Sequence, residues 1–135
     1  MSRYVAMDIN ERSASITVNG ENYELILTTK ATKELAARYG GLENLGDKLM
    51  KSEKFEEIIG EIVWIIVLLA NQGIMVHNIK NPKSKKELLT EEMLELLTSP
   101  LDLAEFKDAI MQAMTKGTKR NVESEETAVK NEGTG

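Results

Sequence analysis

Apolar and polar residues alternate on either side of Asn19-Gly20. Ala14, Ile16 and Val18 fall on one face before that dipeptide, and Tyr23, Leu25 and Leu27 continue the face after it, the period-2 signature of half-buried strands. Asn and Gly both tolerate the positive φ that a type I′ turn demands, so the pattern predicts a β-hairpin. A two-residue loop pairs Ile16 with Tyr23 and Ala14 with Leu25. A four-residue loop through Asn22 pairs Ile16 with Leu25 instead, and both registers keep the same side chains on one face. A lone hairpin is marginal in water, so this one must lie on helices. Its edge, along Ile16, Val18, Tyr23 and Leu25, is a candidate for pairing between copies.

Beyond Leu27 the period becomes helical. Thr28 or Thr29 can cap a helix bearing Ala31, Leu35, Ala36 and Tyr39, with Gly40 as its left-handed stop. Leu42, Leu45 and Leu49 make the stripe of a second, short helix. The longest helix is predicted over 53–72, capped by Ser52 and closed by Gly73, with Phe55, Ile58, Ile59, Ile62, Val63, Ile66 and Leu69 on one face and Glu57 and Glu61 opposite. One turn on, that opposite face carries Trp64, Val67 and Leu68. The second half of the helix is therefore apolar all round and must be covered on both sides, by its own chain or by another molecule. Core is the ordinary reading of these three residues, and a partner-binding surface is the other.

A polar connection over 77–87 holds Pro82 and the lysines Lys80, Lys83, Lys85 and Lys86, and Thr90 then caps a short helix with Met93, Leu94 and Leu97. Ser99-Pro100, with Asp102 three residues after the serine, opens a last helix whose stripe is Leu103, Phe106, Ile110 and Met114 and whose stop is Gly117. The expected fold is α+β and mostly α: an N-terminal hairpin on a bundle of about five helices, in one domain over 14–117. Residues 1–13 show no clear period and are read as a mobile or edge-pairing lead-in. The stretch 118–135 has Val122, Ala128 and Val129 as its apolar residues, too few to offset the entropy of ordering it, and is read as a disordered tail.

Composition narrows the function classes. Twenty-two acidic against 17 basic side chains give a net charge of -5, which repels a phosphate backbone unless the basic groups are segregated. The absence of cysteine removes disulfides, thiolate metal sites and cysteine nucleophiles together, and makes a reducing cytosol the natural compartment. The N-terminal residues lack the apolar core of a secretory signal. The longest apolar run, 62–70, has nine residues, against about 20 for a bilayer-spanning helix.

The residues also lack an evident catalytic constellation. His77, the one histidine, sits in a polar segment without the partners of a zinc site or a triad, and reads as a solvated loop residue. Glu56/Glu57, Glu91/Glu92 and Glu125/Glu126 are adjacent pairs, which point about 100° apart on a helix and suit solvated faces better than acid/base work. Phosphate-loop, nucleophile-elbow and zinc-helix motifs are missing from the sequence, and Gly40-Gly41 follows a helix where a phosphate-binding turn would precede one. No aromatic is interleaved with the four lysines, so they read as a solvated linker. Met93, Met111 and Met114 fit core filling better than an adaptable groove. We expect no enzyme, no metal and no cofactor.

The order of elements matches a known layout. The stretch ITVNGENYELILTTKATKELAARYGGLENLGDKL, then a strongly apolar helix, a polar break and LLTEEMLELLTSPLDLAEFKDAIMQAM, resembles the tail assembly chaperones of long-tailed bacteriophages and prophages over about residues 14–116. The resemblance is one of layout and texture, since that family has no invariant catalytic or ligand residue.

The resemblance implies a non-enzymatic assembly factor, encoded between the major tail protein and the tape measure protein. Such a factor would bind the tape measure protein, keep it soluble and recruit tail tube subunits in the cytoplasm of the bacterial host. It would be absent from the mature virion. A frameshifted longer product would provide the contact to the tube protein. In that role Trp64, Val67 and Leu68 would contact a partner and the hairpin edge would join copies into a homo-oligomer, with neither nucleic acid nor membrane involved. A small DNA-binding regulator and a structural head-to-tail connector or adaptor are the competing classes.

Overall fold

The structure, a computed structural model, describes residues 13–51 and 54–134, with side chains described over 14–51 and 54–118. The lead-in expected over 1–13 lies outside the described residues except for Ser13, which opens β1, and the cap expected at Ser52 lies outside them too. The chain folds as α+β and mostly α: an antiparallel hairpin of β1 (Ser13–Val18) and β2 (Glu21–Ile26), then α1 (Thr29–Tyr39), α2 (Leu42–Lys51), α3 (Phe55–Lys80), α4 (Glu91–Leu97) and α5 (Pro100–Thr134). The turn is the two-residue one, with Ala14 opposite Leu25 and Ile16 opposite Tyr23. Asn19 and Gly20 have φ of 51° and 81°, the backbone that a type I′ turn requires.

Helix ends follow local chemistry where a cap is present. The Thr28 hydroxyl accepts from the Ala31 N–H at 3.0 Å, and Gly40, in the left-handed region, returns its N–H to the Ala36 carbonyl at 2.8 Å. Thr90 caps α4 through the Met93 N–H at 3.1 Å. Ser99 and Asp102 form a reciprocal box at α5, the Ser99 N–H donating to the Asp102 carboxylate at 2.9 Å and the Asp102 N–H to the Ser99 hydroxyl at 3.3 Å.

Two glycines expected to end helices do not. Helix α3 runs through Gly73 to Lys80 with Asn81 as its C-cap, and α5 runs through Gly117. Both lie where a helix crosses the hairpin. A Cβ at Gly73 would stand 3.0 Å from the Glu24 carbonyl oxygen, and one at Gly117 would stand 2.9 Å from Leu27 Cβ. The missing side chain serves close approach, so the glycine is set by a contact distant in sequence and the helix continues past it. The disordered tail expected over 118–135 falls almost wholly on positions whose side chains lie outside the described residues.

Helix α3 packs on β2, α5 packs on β1, and the two helices meet each other. Ala14, Ile16, Val18 and Leu25 from the hairpin, Leu35, Leu45 and Leu49 from α1 and α2, Ile58 to Leu69 along α3, and Leu103, Phe106, Ile110 and Met114 from α5 share one core. By length and composition α3 is able to cross a membrane, yet 56% of its apolar window is buried against its own chain.

Candidate functional site

Trp64, Val67 and Leu68 are only partly buried and pack against the core from its outer side. With Asn71 and Met75 they recur every three or four residues, so they form one stripe along α3. That stripe is the floor of a shallow groove of about 230 Å³, walled by Lys30 and Glu34 of α1, by Leu88 and by Glu91 at the start of α4. The three residues singled out from the sequence are thus brought together, and Met75 and Leu88 join them. Leu88 had no periodic signal, because it lies in an irregular segment.

Trp64 closes one end of the groove. The Arg38 guanidinium lies 4.2 Å from its ring centroid, and Tyr39 meets it edge-on with centroids 6.1 Å apart. Arg38 also pairs with Glu61 at 3.1 Å, and Lys48 of α2 reaches the same carboxylate at 3.5 Å. Burial pushes Glu61 up, but hydrogen bonds from Arg38 and Tyr39 and the charges of Arg38 and Lys48 outweigh it, and the carboxyl ends below its ordinary value. Burial, then the hydrogen bond to Glu61, pushes the Tyr39 phenol up to about 12. This knot clamps α1 and α2 onto α3.

The other wall is a strap. Asn78 donates to the Lys86 carbonyl at 3.0 Å and accepts from the Lys86 N–H at 2.8 Å. Two turns earlier Asn71 does the same with Leu89, at 2.9 and 2.7 Å. Each asparagine amide pairs with the strap as a neighbouring β-strand would, and Leu89 is buried. The polar connection expected over 77–87 is therefore divided: 77–80 is helix, and 84–90 is irregular chain tied back along α3. His77, expected in a solvated loop, is in the last turn of α3 and contacts the Ser84 carbonyl through Nε2 at 3.1 Å. Asn71 and Asn78 stand two turns apart on α3, but their partners belong to another segment, and the sequence pattern carries no signal for this strap. Lys83, Lys85 and Lys86 stand exposed along it and Lys80 at the end of α3.

Beneath the strap, the groove floor is held by Gln72, the one buried polar side chain among the described residues. Gln72 accepts from the Thr28 hydroxyl at 2.5 Å and donates to the Leu68 carbonyl at 3.1 Å, joining the start of α1 to α3. On the strap's far side lies a wider, mixed groove of about 870 Å³, lined by Glu21 to Glu24 of β2, by Gly73, His77 and Lys80 of α3, and by Lys86, Glu87 and Met93.

The hairpin residues Ile16, Val18 and Leu25 point into the core, at 6, 2 and 0% exposure, so their side chains do not stand at an edge. Tyr23 is half-buried and donates its hydroxyl to Glu21 at 3.1 Å. Among the described residues the sheet has two strands, and any edge recognition would pass through backbone groups. Met114 is buried, Met111 half-buried, and Met93 lines the wider groove. Among the described residues no cluster of three or more histidine, aspartate or glutamate side chains is placed to hold a metal ion. The chain matches no family model, no curated protein and no solved structure.

Proposed function

We propose that this protein is a tail assembly chaperone of a long-tailed bacteriophage or prophage, which binds the tape measure protein, keeps it soluble and recruits tail tube subunits. The observation that carries the reading is the half-covered apolar stripe Trp64, Val67, Leu68 and Met75 on α3, open as a groove between α1 and the strap. A groove of this kind suits the apolar face of a client helix, with the charged walls fixing its register. The resemblance of 14–116 to that family supplies the identity of the client, and the chemistry of the groove supplies the mode: burial of apolar surface without covalent chemistry. Assembly of copies through the backbone edge of the hairpin belongs to the same proposal, as does contact with the tube protein through a frameshifted longer product.

The test is co-expression with the long helical reading frame beside its gene, followed by affinity pull-down and size-exclusion chromatography with light scattering. Co-elution in a large complex that keeps the client soluble, abolished by Val67→Ser with Leu68→Ser, is the expected result. A clean monomer that leaves the client insoluble would overturn the reading.

A further inference from the structure

The fold leaves an apolar shoulder uncovered where α4 meets the start of α5. Seven large apolar side chains stand exposed among the described residues, and five of them, Leu88, Met93, Leu96, Leu97 and Leu101, fall within 88–101. Leu96 and Leu101 are 77 and 71% exposed, while Leu94, two residues before Leu96, is wholly buried. At about 100° per residue, Leu96 lies on the far side of α4 from Leu94, so the seating of α4 itself turns Leu96 outward. That seating is firm: Asn71 holds the Leu89 backbone, Thr90 caps the helix, and the Thr98 hydroxyl donates to the Leu94 carbonyl at 2.6 Å. The shoulder is a preorganised surface.

Along α4 and the first turns of α5 the charge is of one sign. Between 87 and 106 the chain carries Glu87, Glu91, Glu92, Glu95, Asp102 and Glu105 and no basic residue. The ion pairs among the described residues involve none of these six. An apolar centre with an acidic rim is complementary to an apolar stripe flanked by lysine or arginine. The same shoulder facing itself across a two-fold axis would bring two acidic rims together, and an anionic membrane would be repelled.

We propose that this shoulder docks a basic amphipathic helix of another protein, with Leu96, Leu97 and Leu101 against its apolar stripe and Glu92 and Glu95 against its cationic flank. The inference rests on this surface alone and goes beyond the tail assembly reading, so the two can fail separately. The probe is a labelled peptide of about 18 residues, long enough to hold a helix, with leucines at i, i+3, i+4 and i+7 and lysines flanking them. A second peptide replaces every lysine by glutamate. Anisotropy titration against the full chain should show binding of the lysine peptide alone, weakened about tenfold or more between ~50 and ~500 mM salt. Leu96→Ser with Leu101→Ser keeps the charge and should cost about tenfold or more, as one or two exposed leucines lost from a contact would. Glu92→Lys with Glu95→Lys should cost a similar factor, while circular dichroism stays unchanged for both variants.

Equal binding of the two peptides would overturn the proposal, because the rim would then select nothing. Retained affinity in the serine variant would reduce the binding to net charge attraction and overturn it equally. A concentration-dependent dimer abolished by Leu96→Ser would assign the shoulder to a second copy of the chain instead.

Discussion

Three of the glycines inside helices divide by what surrounds them. Gly60 has nothing within 4 Å of the place its Cβ would take, whereas Gly73 meets the Glu24 carbonyl at 3.0 Å and Gly117 meets Leu27 at 2.9 Å. Alanine at Gly60 gains helix propensity and touches nothing, so Gly60→Ala should raise the unfolding free energy by up to about 1 kcal/mol. At Gly117 the added methyl overlaps Leu27, and Gly117→Ala should lower stability by about 1–3 kcal/mol despite the same gain in propensity. Gly73→Ala should also be destabilising, since the atom in its way is backbone held in the hairpin ladder. Urea denaturation of the three variants checks the order, and a stabilised Gly117→Ala would show that α5 does not approach the hairpin so closely.

The strap over 84–90 depends on two side chains acting as a strand edge. Asn71 satisfies both backbone groups of Leu89, at a partly buried site, and Asn78 does the same for Lys86 at an exposed one. Removing the first leaves a donor and an acceptor without partners in a place where water is scarce. Asn71→Ala should therefore cost about 1–3 kcal/mol. Asn78→Ala should cost less, because water can replace the lost bonds. Amide hydrogen exchange separates the effects: the Leu89 N–H should lose protection in Asn71→Ala and keep it in Asn78→Ala. The strap also walls both grooves and seats α4, so the apolar shoulder stands on these two asparagines.

The attachment of α1 and α2 to the body passes through the knot of Arg38, Tyr39, Lys48, Glu61 and Trp64. Glu61 has a folded-state pKa below its ordinary 4.5, so it contributes stability that is present above that value and lost as pH falls through the lower folded one. Tyr39 has the opposite sign. Its phenol is raised from 10.0 to about 12, so that contribution is present below pH 10 and lost as pH rises towards 12. The one tryptophan of the chain sits in this knot and reports on it by fluorescence. Acid titration should loosen the knot below about pH 4.5, and Glu61→Gln should flatten that limb and draw the alkaline one to lower pH, since the Glu61 carboxylate is one cause of the raised Tyr39 pKa. An unchanged acid limb in Glu61→Gln would move the cause to other carboxylates.

Local pattern was sufficient for most of the architecture. The hairpin turn, the caps at Thr28 and Thr90, the Ser99-Asp102 box and the buried stripe of α5 are legible in the sequence because each is decided by residues within one turn of each other. The apolar continuation at Trp64, Val67 and Leu68 was legible too, as a face requiring cover. The ends of α3 and α5 were not, because Gly73 and Gly117 look the same as stops or as contact points until β2 and Leu27 are in place beside them. The strap and the acidic, leucine-rich shoulder were likewise decided by the fold. Hydrogen-bond partners 18 residues apart, Asn71 and Leu89, leave no periodic trace, and a leucine in a short helix shows its outward direction only once its neighbour Leu94 has been buried. Sequence set what each segment is, through interactions within a few residues. Tertiary structure set which glycines are contacts and which apolar side chains remain for a partner, through packing between segments distant along the chain.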